Sequence, residues 1–389
     1  MNASLRWGKW PQFGLLIATF FLACQQLPSP VPEPPETRVS MAEIVAALQV
    51  ALPLSLSEDA FSAPENREAL HRAVAQLSQS AGVLEAHGLG RDAGFAHMSH
   101  ALSRDSAEIQ WRLEQGRSEE ARFLLGELVN DCVACHSRLP STETSDLGRS
   151  LYDAVDTSTL ARSERVKLEI ATRQFDRALT SLEALIADPI LSPSHLDLGG
   201  FLSDYLRVSI RVRADLDRPR LTLDQWQHGN ALPAYLDHLA TSWIDALATL
   251  RVDAPPGTEL DEARSVAAQA ETIRRFPADR ATLVHDLVVS GLLNRALARQ
   301  TLPADDNAEA YYLLGLAELR VAHSYWLAAP EAYLEAAIRT APGSTFAHQA
   351  YLVLEEETIA GYTGSGGTQL PTAVATWLDE LRELALTER

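Results

Sequence analysis

The sequence predicts an all-α protein: a four-helix bundle followed by a longer helical array. Three observations carry this prediction. Apolar residues recur at three- and four-residue spacing through most of the chain after residue 40. The period-two alternation of strands is scarce. Clusters of Pro, Gly and Asp cut the periodic stretches into lengths usual for globular helices. A chain of 389 residues has room for two or three domains, and an apolar content of 46% fits a soluble body.

The charge balance narrows the function classes. Lys plus Arg is 33 and Asp plus Glu is 52, for a net charge of -19. Such a surface repels phosphate backbones and anionic lipid heads, which argues against nucleic-acid binding. It would steer a basic protein partner, and it also serves solubility.

Residues 1–24 read as a targeting signal. Arg6 and Lys9 precede an apolar run from Phe13 to Ala23, too short to span a bilayer comfortably, and Cys24 follows. The stretch Phe21-Leu22-Ala23-Cys24 resembles the lipobox of bacterial lipoproteins, which implies lipidation of Cys24 and a membrane anchor through that lipid. Gln25 after the cysteine resembles the outer-membrane sorting pattern of Gram-negative lipoproteins. Residues 25–39 carry prolines at 28, 30, 32, 34 and 35 and are expected to form a stiff, extended spacer.

Residues 40–140 hold the four predicted bundle helices. Ser40 and Glu43 make a capping box, with Val39 and Ile44 at staple spacing. The first stripe is Met41, Ile44, Val45, Leu48 and Leu52. Pro64 opens a second helix with stripe Leu70, Val74, Leu77, Ala81 and Leu84, stopped by Gly88 and Gly90. A third runs from about Asp92 to Gln115, with Phe95, Met98, Leu102, Ile109 and Leu113 inward and Gly116 after it. A fourth starts near Ser118 and carries Leu125, Leu128 and Val129 down to Cys132, and Pro140 closes the segment. Four amphipathic helices with short joints favour an up-down-up-down bundle.

The last helix contains Cys132-Val133-Ala134-Cys135-His136, the c-type haem attachment motif. Two thiols about one helical turn apart can add to the two vinyl groups on one edge of a porphyrin. The adjacent imidazole then lies beneath the iron as proximal ligand. Cys132 is in phase with Leu125 and Leu128, which directs the cofactor into the bundle core. A redox dithiol and a zinc site are the competing readings. The first wants a βαβ context and the second a further ligand pair, and the sequence offers neither. One covalent haem c at Cys132, Cys135 and His136 is the expectation.

A four-helix bundle ending in CxxCH resembles the class II cytochromes c, the cytochrome c′ group, over residues 40–140. The resemblance implies a distal residue from the first helix, a methionine near its start in low-spin members, and Met41 matches that position. It also implies a basic residue just after the motif, near the haem propionates, a part that falls to Arg138, although the usual aromatic-basic pair is missing. Topology alone brings Met41, His87, His97, Met98 and His100 to the haem end. Phase places Met41 and Met98 on buried stripes, His87 at a stripe edge, and His97 and His100 towards solvent. Met41 ranks first as axial ligand and Met98 second; either can instead be core filler. If neither binds, the iron is five-coordinate or takes a histidine.

Residues 141–146 read as a polar linker, and residues 147–389 as a helical domain. Helices are expected near 163–187, 194–215, 233–251, 259–276, 279–300, 308–328, 331–340, 344–362 and 371–386. Two stretches resemble tetratricopeptide repeats: Phe175 to Ala178 with Leu182, Leu185 and Pro189, and Tyr311 to Gly315 with Ala337, Pro342 and Gly343. Their spacing exceeds the family pattern, so the expectation is a degenerate α-solenoid that docks a partner, with a compact helical domain as the alternative. Tyr311, Tyr312, Tyr325 and Trp326 can line a groove or fill inter-helix core. The histidines are scattered, no HExxH or nucleophile elbow occurs, and Gly364 to Gly367 reads as a flexible turn rather than a phosphate loop.

These readings converge on an exported mono-haem cytochrome that passes electrons to an envelope redox or assembly protein, an electron carrier rather than a catalyst. A five-coordinate gas-binding or sensing haem protein and a repeat-type assembly adaptor are the alternatives. Peroxidase-like catalysis would need a distal acid–base pair, and none is identifiable.

Overall fold

The computed structural model describes residues 35–141, 145–277, 279–321 and 329–387. Cys24, the signal segment and the spacer up to residue 34, together with His323, Tyr325 and Trp326, lie outside the described residues. The protein is all-α, with a single two-stranded hairpin, Thr363–Gly364 against Gly367–Thr368, among the described residues. That hairpin replaces the expected flexible turn, with Gly367 at φ +93°.

The first helices are α1 (Pro35–Ser55), α2 (Glu58–Ser62), α3 (Pro64–Gly88), α4 (Ala93–Glu114), α5 (Ser118–Glu127) and α6 (Val129–His136). α1 packs on α3, α3 on α4, α4 on α5, and α5 returns to α1. Ile44, Leu48, Leu52, Leu70, Val74, Leu77, Ala81, Leu84, Leu102, Ile109, Leu113, Leu125 and Leu128 are buried in one cluster, as their stripes predict. α1 is long and apolar enough to cross a membrane by length and composition, but Ile44, Ala47, Leu48, Ala51 and Leu52 spend that apolarity on the core.

Two local expectations fail here. Helix α1 is already running at Pro35, so residues 35–39 are helical rather than extended spacer, and Ser40 is buried inside the helix instead of capping it. Val39 is 60% exposed and makes no staple. A Pro-Glu opening, with no proline N–H to satisfy and an acid at the positive end of the helix dipole, supplies an earlier start. The fourth helix breaks at Leu128, where a tight Asp131 N–H to Leu128 C=O bond of 3.1 Å separates α5 from α6. Asp92 caps α4 as expected, its Oδ1 accepting from the Phe95 N–H at 3.1 Å.

The remainder comprises α7 (Asp146–Ala154), α8 (Arg162–Ala171), α9 (Phe175–Ile186), α10 (Pro193–Leu198), α11 (Phe201–Arg207) continuing as a π turn through Val212, α12 (Asp217–Gly229), α13 (Ala234–Thr249), α14 (Glu259–Ile273), α15 (Leu283–Ala298), α16 (Ala304–Val321), α17 (Ala329–Thr340), α18 (Thr345–Gly361) and α19 (Thr372–Ala385). The helix expected over 163–187 is split by Arg173 in the left-handed region (φ 58°), and that over 194–215 by Gly200 (φ 79°). Helices α7 and α12 have no counterpart in the sequence reading. α15 is buried on every side and packs against α11, α13, α14, α16 and the π turn. Gly315 lies against Leu334 between α16 and α17, and Gly343 (φ 71°) turns the chain into α18.

The two halves are joined by packing. Leu151 and Tyr152 of α7, Val155 just after it and Leu168 of α8 enter the N-terminal cluster, while Met98 belongs to the large C-terminal one. Tyr311 is buried, stacks on Tyr333, and accepts a hydrogen bond from the Ala93 N–H at 3.1 Å, so it is inter-helix core.

Candidate haem site

The i, i+3, i+4 spacing on α6 brings Cys132, Cys135 and His136 to one side of the helix. All three line one partly open cavity. Its walls are mainly apolar. α1 gives Met41, Ile44, Val45 and Leu48, and α3 gives Leu84. α4 gives Phe95, Met98, Ser99 and Leu102. Leu151 of α7 and Ala171 of α8 complete it from beyond residue 140.

The imidazole of His136 is oriented by a hydrogen bond. Its Nδ1 lies 2.6 Å from the backbone oxygen of Ala171. A carbonyl can only accept, so Nδ1 carries the proton, and in the neutral ring the Nε2 lone pair is left for a metal. This is the arrangement in which an outer partner sets tautomer and orientation of a metal-ligating histidine.

The thiol of Cys132 is not primed for attack. Burial, with Asp131 and Cys135 adding to it, pushes its pKa up to about 12. A redox dithiol needs the opposite shift. Among the described residues no three or more His, Cys, Asp or Glu side chains group as a metal site. An apolar cavity with two thiols and one oriented imidazole on a single wall suits an iron porphyrin attached through thioethers.

The other sequence-predicted residues divide. Met41, half-buried, and Met98, 7% exposed, both line the cavity. His87, His97 and His100 do not line it. His100 is exposed as expected and bonds Glu85 at 2.6 Å. His97 is half-buried, not solvated. Its Nε2 lacks a hydrogen-bond partner, and burial with Arg104 and His100 nearby lowers its pKa.

Arg138 is placed away from the cavity. It is 4% exposed, pairs with Asp92 at 2.5 Å and donates to Asn294 Oδ1 at 2.9 Å. Burial opposes its charge, but Asp92 more than offsets this and holds the guanidinium protonated. Its charge and donors are thus met by Asp92 and Asn294. At Gly94 a Cβ would meet the Tyr333 hydroxyl and, at 3.0 Å, the Arg138 guanidinium carbon.

Sequence reasoning missed Asp131, Leu151 and Ala171. Only Asp131 carried a signal, as a carboxylate next to the motif on a helix entering the core. It is 8% exposed, and its Oδ2 has no hydrogen-bond partner. Burial and the neighbouring Asp105 raise its pKa to about 7, with Arg104 opposing. The folded state thus holds this proton to higher pH than the unfolded chain, so the contribution of Asp131 to stability falls as pH rises from the ordinary carboxylate range through about 7. Asp131→Asn should remove a loss of the order of 1–4 kcal/mol between about pH 4 and pH 8. Denaturant unfolding of both proteins across that range checks it; a wild type and variant with parallel pH profiles would refute it.

Comparison with known protein families, curated proteins and solved structures finds no match to this chain.

Proposed function

We propose that the chain is an exported, mono-haem c-type cytochrome that carries electrons in a bacterial envelope. One observation supports this above the rest: the CxxCH face opens onto an apolar cavity that also contains both methionines, with His136 pinned through Nδ1 to Ala171. Cys132 and Cys135 would hold haem c covalently and His136 would supply the proximal nitrogen. Met41 is the first choice for the sixth position and Met98 the second. Bound there, the haem supplies a one-electron couple.

Helices α1, α3, α4 and the α5–α6 pair are read as the bundle of a class II, cytochrome c′-like domain. The apolar walls exclude water, and a methionine on the iron would close it to exogenous ligands. The C-terminal half is read as a degenerate tetratricopeptide-like scaffold for an envelope redox or assembly protein. A lipid on Cys24 would tether the whole to the outer membrane on its periplasmic side.

Absorption spectra of the protein, matured in a host that attaches haem, test this reading. The expected result is one covalent haem, low-spin in the reduced state and unchanged by carbon monoxide. Met41→Ala should open the iron to carbon monoxide, while Met98→Ala should leave it closed. A wild type that binds carbon monoxide at once would instead support the gas-binding alternative. A colourless protein would leave only a helical adaptor.

A further inference from the structure

We propose that the corner between α7 and α8 is part of the haem site, with Gly148 and Gln174 as positioning residues for the proximal imidazole. This rests on the cytochrome reading above and adds to it. The acceptor for His136 Nδ1 is the last residue of α8, Ala171, 35 positions along the chain from the histidine and outside the CxxCH bundle. A carbonyl at a helix end has no intrahelical donor of its own, so its direction depends on what braces that end.

The bracing is visible. At Gly148 a Cβ would stand 1.9 Å from the Thr172 carbonyl oxygen and 2.7 Å from its carbon. Both atoms belong to the Thr172–Arg173 peptide, one residue beyond Ala171, so any side chain there must push the backbone that leaves the end of α8. Gly148 is in turn held by the N-cap of α7, its N–H donating to Ser145 Oγ at 3.0 Å. Gln174 ties the two strands of the corner together. Its Nε2 donates to the Thr172 carbonyl and to the Ser145 carbonyl, both at 3.1 Å. Thr172 Oγ1 donates to the Leu168 carbonyl at 2.7 Å and closes the helix end. The glycine that makes α7 hard to find in the sequence is what lets it approach this corner.

The electronic consequence has a definite sign. A strong Nδ1–H bond makes the imidazole a more basic ligand and favours ferric iron. Loosening the Ala171 carbonyl weakens that bond, so the midpoint potential rises. Simple opening of the cavity to water stabilises the ferric charge and lowers the potential, so the two effects are separable.

The test uses the full-length haem-loaded protein. Gly148→Ala should displace the corner, and Gln174→Leu, which keeps bulk and removes two hydrogen bonds, is the milder variant should the first fail to fold. Both are expected to retain covalent haem, to show a higher midpoint potential, and to exchange the His136 Nδ1 proton faster by nuclear magnetic resonance. Haem-loaded Gln174→Leu with unchanged potential and unchanged proton exchange overturns the proposal and leaves the cytochrome reading intact. A lowered potential overturns it as well, since it marks solvent entry. A wild type without covalent haem ends both readings.

Discussion

A Cys132→Ser, Cys135→Ser double variant should emerge colourless from a host that colours the wild type, with complete loss of haem on a haem-stained denaturing gel. Each sulfur can form one thioether, so each single variant should keep reduced but measurable stain. Both thiols face one cavity whose other walls are mainly apolar. The variant should remain helical, since the stripes of α1, α3 and α4 bury their own residues. It should also be less stable, because the apolar cavity lining would be left without the cofactor's contacts, and loss of contacts around a void is destabilising. Full covalent staining of the double variant would refute thioether attachment at these positions.

Arg138→Met should cost about 3–5 kcal/mol of stability. The pair it forms with Asp92 is almost fully buried, with side-chain exposures of 5% on both partners, so removing the guanidinium strands a carboxylate away from water. Asp92 is also the N-cap of the helix that bears Phe95 and Met98, and Asn294 of α15 loses its donor. Because neither charge is then left alone, Arg138→Met combined with Asp92→Asn should recover most of the loss. Denaturant unfolding of the two single variants and the double variant gives the coupling. A loss below about 1 kcal/mol for Arg138→Met would show that this buried pair contributes little to stability.

Particular residues show what was legible before the structure. Leu70, Val74, Leu77, Ala81 and Leu84 are all buried because one helical period fixes one face. Asp92 was readable as the start of α4, and Gly88 and Gly90 as the end of α3, since caps and stops are local chemistry. Ser40 misled because a stronger start lay upstream. Arg173 broke an expected helix because its left-handed backbone leaves no mark in a residue type that rarely adopts it. α7 went unseen because its glycine answers to the Thr172 backbone, a partner remote in sequence. The pairing of Arg138 with Asp92, 46 residues away, left no local mark.

By itself, then, the chain's sequence determined that this is an all-α protein, where its CxxCH stands, and that Met41 and Met98 are on inward stripes. Those features depend on spacing along one helix, and covalent geometry with the α-helical period is enough to set them. Only the tertiary structure decided that the Ala171 carbonyl accepts the hydrogen bond of His136, that Leu151 walls the cavity, and that Asp92 and Asn294 claim Arg138. Each of these joins segments that meet solely because two hydrophobic clusters pack together, and no local period records which distant backbone or charge will be waiting there.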